Sequence, residues 1–375
     1  MKTIRIGLIG VGLIGKMHLD EYADIPGAEV VAVCDINEAE VNAVAAKYNI
    51  PHVYTDFRKM LERDDLDCVD VCLHNNFHAP VTIAALEAGK QVYCEKPIAG
   101  SYYDGKAMVD AAKRTGNQLH IQIATLYHKE TKLAKELIED GKLGKLYHAR
   151  SNGYRRRGRP YVDGYGTPSF TRKETAGGGA LFDMGVYHIS QILYLLGIPN
   201  VRTITGQTYQ EMDMDQERRT ISGFNVEELG LGFVKFDGGA TLDIMEAWSV
   251  HLGGFEGSCV IGADGGIRLP AYKSGQAQSP MTFHSTLSDM DLDSIIDVNA
   301  SNTRRERMSS DYDAYRSSQH HLIAALQGRV PMLPTAEIAL QTMLISEGIY
   351  MSSELGREVT AEEVVAQSKS TAIII

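Results

Sequence analysis

The sequence predicts a doubly wound parallel sheet over residues 1–124, followed over 125–375 by an α+β domain with a large, mostly antiparallel open sheet. Three observations predict it. Short apolar runs alternate with helical stretches of roughly 10–15 residues up to about Gln118. A glycine-rich turn joins the first apolar run to the first helix. Beyond Gln118 the apolar runs lengthen and alternate with period two, the pattern of strands with one buried face.

Ile4–Ile9 (IRIGLI) ends in Gly10-Val11-Gly12-Leu13-Ile14-Gly15, and an amphipathic stretch with Met17, Leu19 and Tyr22 follows. Strand, glycine turn and helix form the context in which G-x-G-x-x-G binds a dinucleotide. Gly10 permits the tight turn, Gly12 lets a pyrophosphate reach the backbone, and Gly15 lets helix and strand pack, with the helix start at Leu13 and Ile14 turned to the phosphates. The next run, Ala28–Cys34, ends in Asp35, 20 residues after Gly15, where a carboxylate accepts hydrogen bonds from the adenosine ribose. That acid repels a 2′-phosphate and no arginine follows in CDINEAE, so NAD is favoured over NADP.

The alternation continues through a helix over Glu38–Tyr48, a strand at His52–Tyr54, a helix over Asp56–Arg63, a strand at Cys68–Leu73, a helix over Pro80–Ala88 and a strand at Gln91–Glu95. In a doubly wound Rossmann sheet ligands bind beyond the C-terminal strand ends, where His74, Asn75, Asn76, His78, Glu95, Lys96 and Pro97 fall. One more strand, Gln118–Ala124, and a helix over Lys129–Asp140 lead into five longer strands. These are Leu146–Tyr154, Val201–Tyr209, Glu228–Phe236, Ala240–Trp248 and Gly257–Leu269. The polar segment Gly265–Arg307 reads as loop. Asp311–Gln327 and Thr335–Glu354 return to helix, separated by GRVPMLP.

The composition narrows the function. The 375 residues carry 37 Lys+Arg against 48 Asp+Glu, a formal net charge of −11, with a pI of about 5.6. Long-range attraction to nucleic acid or anionic membranes is therefore not expected. No run approaches the ~20 apolar residues that span a bilayer, and MKTIRIGLIGVGLIG reads as structure rather than as a signal peptide. The five cysteines, Cys34, Cys68, Cys72, Cys94 and Cys259, are an odd number without C-x-x-C spacing. They fit buried thiols in a reducing cytoplasm, with no metal site.

IGLIGVGLIGKMH, HNNFHAPVTIAALEAGKQVYCEKPIAG, AGGGALFDMGVYHISQILYLLG and SSELGREV resemble, in this order, the Gfo/Idh/MocA family of sugar and cyclitol oxidoreductases, and the loop and helix motifs are similar to those of glycoside 3-dehydrogenases. The resemblance implies an NAD-dependent dehydrogenase acting on a secondary hydroxyl of a sugar, glycoside or cyclitol, with C3 of a glucoside as its narrowest form. An inositol or free-sugar dehydrogenase, an NAD-retaining redox-assisted glycoside hydrolase and a non-catalytic NAD-binding regulator are the rival readings. The family's open sheet implies a homodimer or homotetramer.

By the same resemblance Lys96 sits between nicotinamide and substrate and stabilises the alkoxide character that develops as hydride leaves. Asp183 follows the glycine run Gly177–Gly179. The family position four residues on holds Tyr187, and His188 lies about 100° further round a regular helix. Tyr187 has the position, while His188 has the pKa suited to proton transfer; a locally unwound helix start favours His188 and a regular one Tyr187. His78 matches a family histidine near the nicotinamide end, and Asn75 and Asn76 precede the helix where cofactor contacts occur, although capping explains the asparagines equally well. Tyr127, Arg155, Arg157 and Trp248 complete the expected substrate side. The run Arg155-Arg156-Arg157-Gly158-Arg159 reads as an active-site rim or subunit contact, with a solvated loop as the alternative, and Trp248 as a stacking platform or as a core or oligomer-interface residue.

Overall fold

Strand β1 (Ile4–Ile9) is buried along nearly its whole length, as apolar strands between two helical layers are. It is followed by α1 (Leu13–Tyr22), β2 (Ala28–Cys34), α2 (Glu38–Tyr48), β3 (His52–Tyr54), α3 (Phe57–Leu61), β4 (Cys68–Val71), α4 (Asn75–Glu87), β5 (Gln91–Cys94), α5 (Tyr102–Thr115) and β6 (Leu119–Ile121). This computed structural model describes residues 2–273 and 276–375. The six strands pair in the order β3-β2-β1-β4-β5-β6, and every pair is parallel. The strand order reverses between β1 and β4, so a crevice opens beyond their C-terminal ends.

Two sequence expectations change here. Helix α4 begins at Asn75, five residues before Pro80. Proline lacks the N–H that would bond the Asn76 carbonyl, and the Ile373 N–H, 3.2 Å away, takes that place. Helix α5 adds an element to the expected series; the Ser101 side chain caps its start by accepting from the Asp104 N–H, and Gly116, at φ 73°, ends it.

The chain then forms α6 (Lys129–Glu139), β7 (Leu146–Tyr154), α7 (Lys173–Ala176), α8 (Ala180–Asp183), α9 (Gly185–Leu195), β8 (Val201–Tyr209), α10 (Gln216–Ser222), β9 (Leu229–Phe236) and β10 (Thr241–Ala247). Next come β11 (Cys259–Gly262), β12 (Gly265–Arg268), the short β13 (Tyr272–Lys273) and β14 (Gln276–Ala277), β15 (Thr282–Leu287), β16 (Met290–Ile295) and α11 (Val298–Met308). Last are α12 (Ser318–Leu326), α13 (Thr335–Leu355), β17 (Val359–Thr360) and α14 (Ala361–Gln367).

Nine strands form one sheet in the order β16-β15-β12-β11-β7-β10-β9-β8-β17. Among the described residues only the β7–β10 pair of this sheet is parallel, so the sheet is open and mostly antiparallel, as expected. The Gly257–Leu269 run is two strands, β11 and β12, and not one. Among the described residues of the expected loop Gly265–Arg307, the hairpin β15–β16 and helix α11 replace irregular chain; 274 and 275 lie outside the described residues. All six residues of β16 are exposed, which removes the one-sided apolar pattern that marks a strand.

The chain divides into two compact units, and the division is interleaved. The first takes the chain up to Gln122 together with Ser309–Glu337 and Ser370–Ile375; the second takes Ile123–Met308 with Ile338–Lys369. A single crossing at 124/125 is thus replaced by a return of α12 to the first unit. There Leu322 and Ile323 are buried with Ile4, Ile6, Tyr22, Ile25, Cys68 and Tyr93. All five cysteines are free thiols.

Candidate active site

In the first unit the glycine turn is held by its backbone. Gly10 lies at φ 94°, which an L side chain rarely adopts, and a Cβ at Gly15 would collide with the Gly10 carbonyl. Helix α1 has no side-chain cap at its N-terminus, so its first N–H groups are free to meet an anion. Nothing lies within 4 Å of where a Gly12 Cβ would be. The Asp35 carboxylate is fixed beside the turn by the Val11 N–H and the Asn37 N–H, each at 2.9 Å. Leu13 (77% exposed), Ile14 and Ile36 (93% exposed) flank it as open apolar surface. An open backbone cradle, an uncapped helix start, an anchored acid and an uncovered apolar rim fit an NAD molecule's pyrophosphate, ribose and adenine.

At the strand ends, His74 is the residue before α4, and Asn75 and Asn76 open that helix. His78 is fully buried. Its Nδ1 lies 2.8 Å from the Pro97 carbonyl and its Nε2 3.0 Å from that of Leu73. A direct cofactor contact is therefore not what His78 makes: it is enclosed and braces the chain on either side. Glu95 is also enclosed, at 8% exposure. One of its oxygens accepts the Lys96 main-chain N–H at 3.0 Å and the other faces His18 Nε2 at 2.9 Å. Its oxygens are occupied by protein partners, and Lys96 follows immediately at the end of β5.

In the second unit β10 supplies two anchors. Leu242, Ile244 and Glu246 all point inward, and Trp248 continues that register. Glu246 is fully buried; its Oε1 accepts from the Ser151 hydroxyl at 3.0 Å and its Oε2 faces His188 Nδ1 at 2.9 Å. Burial disfavours a charged His188, but the Glu246 carboxylate outweighs it, and the imidazole titrates above its ordinary value. The His188 side chain retains 29% exposure. Gly153 on β7 makes this pairing possible, since a Cβ there would fall against the His188 ring and the Glu246 carboxylate.

Trp248 donates its Nε1–H to Asp183 Oδ2 at 2.9 Å, and the same oxygen lies 3.7 Å from an Arg155 guanidinium nitrogen. Trp248 itself has no exposed surface and lies among Val162, Ala180, Met184, Met214, Phe224 and Val226. It has no face left for a sugar, so the stacking expectation is corrected: its indole orients Asp183. Tyr127, at 4% exposure, is likewise enclosed, and its neighbour His128 is the more open residue of that loop.

The glycine run is explained by what it touches. Buried Glu227 accepts the Gly179 and Leu181 N–H groups at 2.8 and 2.9 Å, capping the start of α8, and a Cβ at Gly179 would strike the Glu227 carbonyl. Helix α8 stops at Asp183, Met184 forms a turn, and α9 starts at Gly185. Asp183 and Tyr187 therefore do not share one regular helix. The Tyr187 carbonyl accepts from the Thr125 hydroxyl at 2.8 Å.

The arginine run separates residue by residue. Arg159 is 1% exposed and pairs with Asp163 at 3.0 Å and Glu228 at 2.9 Å, a structural role. Arg155 bonds the Gly158 carbonyl and the Tyr165 hydroxyl beside Asp183. Arg156 and Arg157 are exposed.

A parallel dinucleotide-binding unit with a lysine at a strand end, together with a sheet unit presenting a carboxylate-backed histidine, defines a nucleotide-dependent oxidoreductase. Residues 4–123 match the Gfo/Idh/MocA oxidoreductase family with its NAD-binding Rossmann fold, and residues 131–268 match the Gfo/Idh/MocA C-terminal domain; the chain belongs to this family. It is 28% identical to D-glucoside 3-dehydrogenase of Escherichia coli over 362 residues, 95% of this chain and 97% of that protein. It is 33% identical to levoglucosan dehydrogenase of Pseudarthrobacter phenanthrenivorans over 52% of each chain. Among solved structures, aldose-aldose oxidoreductase from Caulobacter crescentus shares the fold with a TM-score of 0.74 at 22% identity, covering 96% of this chain and all of that one.

Proposed function

We propose that this protein oxidises a secondary hydroxyl of a sugar or glycoside with NAD, and that the hydroxyl is the one on C3 of a glucoside. The observation that carries the reading is the reach of the similarity to D-glucoside 3-dehydrogenase, which runs through 95% of this chain and so includes both units. NAD, held by the Gly10–Gly15 turn and Asp35, supplies the hydride acceptor.

In this reading the Lys96 ammonium donates to the reacting hydroxyl oxygen and stabilises the negative charge that grows there. His188 takes the hydroxyl proton. Its Nδ1–H donates to Glu246, which fixes the tautomer and leaves the Nε2 lone pair as the acceptor, the logic of a carboxylate-backed general base. The pairing with Glu246 supports His188 over Tyr187 for this role. Asp183, oriented by Trp248 and Arg155, receives a neighbouring hydroxyl, with Arg157 at the rim.

Self-association as a homodimer or homotetramer through the outer sheet face belongs to the same proposal. A hollow of about 560 Å³ lies there, lined in part by Leu231, Phe233, Met245 and Phe255; a monomer by light scattering would remove this part.

The test is NADH formation across a panel of free sugars, inositols and glycosides, with Lys96→Ala alongside. Wild-type protein is expected to accumulate NADH with a glucoside. The variant is expected to lose at least about 100-fold in kcat and to keep its NAD affinity. Aglycone release without net NADH, or an active Lys96→Ala variant, would refute the reading.

A further inference from the structure

Helix α1, which opens on the dinucleotide turn, carries His18 at 5% exposure. Its Nδ1 lies 2.8 Å from Asp70 Oδ2 on β4, and its Nε2 lies 2.9 Å from Glu95 Oε1 after β5. A carboxylate oxygen faces each ring nitrogen, the arrangement that suits a ring donating from both. Burial opposes a charged His18, yet Asp70 outweighs it and His18 titrates well above its ordinary value. Glu95, despite its burial, is held below the ordinary carboxylate range by His18.

The other neighbours of His18 among the described residues are mostly uncharged, while Lys96 adds its own charge to that of His18 beside Glu95. Cys72 Sγ is 3.2 Å from Nδ1, but burial pushes its thiol far up and keeps it neutral; the Tyr93 ring stands 5.5 Å away, and Gln319 donates to the His18 carbonyl. The donor atoms of His18, Asp70 and Cys72 lie within 4.8 Å of one another, the spacing of a metal site. With a carboxylate oxygen 2.8 Å from one ring nitrogen and another 2.9 Å from the second, the geometry is that of a hydrogen-bonded ion cluster.

The consequence lies on the other Glu95 oxygen, which accepts the Lys96 main-chain N–H at 3.0 Å. We propose that His18 is a positioning residue for Lys96: by clamping Glu95 from α1, it fixes the main chain at the foot of the lysine and ties the helix of the dinucleotide turn to the strand end that carries the reacting group. The consequence for turnover rests on the role given to Lys96 above; the clamp itself does not.

The experiment is amide hydrogen exchange and steady-state kinetics on full-length His18→Gln, Glu95→Gln and the double variant. Glutamine at 18 carries no positive charge and has both its N–H donors on one nitrogen, so it does not reproduce two separate ring nitrogens each facing a carboxylate. The Lys96 amide is expected to exchange at least about tenfold faster in His18→Gln, with the amides of β1 changed less than about twofold. If His18 acts through Glu95, kcat falls at least about tenfold in each single variant and the double variant is no worse than the poorer single. Unchanged Lys96 exchange, exchange raised equally through β1, losses that multiply in the double variant, or stoichiometric metal in the purified protein would each overturn the proposal. A wild-type protein that turns over no sugar defeats the functional reading alone, because the exchange result still decides the clamp.

Discussion

At the level of single residues, His188 shows how environment sets chemistry. Burial pulls its titration down and the Glu246 carboxylate pulls it up by more. A base must be unprotonated to accept a proton, so kcat/KM for oxidation is expected to rise with pH along a limb placed above the ordinary histidine value of about 6.5. In Glu246→Gln, burial acts unopposed. The limb should move below its wild-type position while kcat falls, as a pH profile would read; an unmoved limb would exclude His188 as the base. Lys96, Asp183 and His188 can be named from the sequence as candidates because each stands in a local motif. Glu246 is not, since an acid inside IMEAWS resembles a strand residue facing solvent. The available signal is its register with Leu242 and Ile244, which places a carboxylate where an apolar side chain belongs. Trp248 shows the converse: its chemistry is legible, but its enclosure comes from residues as far away in sequence as Val162 and Met214.

Among the elements, the second unit's site depends on two strands lying close under α9. Gly153→Ala forces a methyl group between His188 and Glu246. A cost of about 1–3 kcal/mol in stability is expected from such overpacking, together with the lowered pH limb described for Glu246→Gln; thermal unfolding and a pH profile report the two. Loss of stability with an unmoved limb would separate Gly153 from the pair. Strands with one apolar face and the parallel βαβ units can be read directly from periodicity. The hairpin β15–β16 cannot, because with β16 exposed on both faces, Asp291 and Asp293 alternate with Met290 and Leu292 without any buried face to match. The start of α4 is displaced for a different reason: the donor that excuses Pro80 comes from Ile373, a contact from the far end of the chain.

Across the whole molecule, sequence order and compact units do not coincide. Residues 1–124 contain every strand of the parallel sheet, yet Leu322 and Ile323 complete the core against Ile4, Ile6 and Tyr93. A fragment ending at 124 is therefore expected to lack cooperative unfolding and NAD binding, and Leu322→Ala in the full chain is expected to cost about 2–5 kcal/mol. A folded, NAD-binding fragment would contradict this. No helix among the described residues is long and apolar enough to cross a membrane. The proposed chemistry passes hydride from C3 of a glucoside to NAD, and turnover of a glucoside deuterated at C3, followed by mass analysis of nucleotide and sugar, tests it without intermediaries. Deuterium in the NADH and a 3-keto-glycoside in equal amount are expected. NADH without deuterium would place the oxidation at another carbon, and no NADH from any glucoside would contradict the proposal altogether.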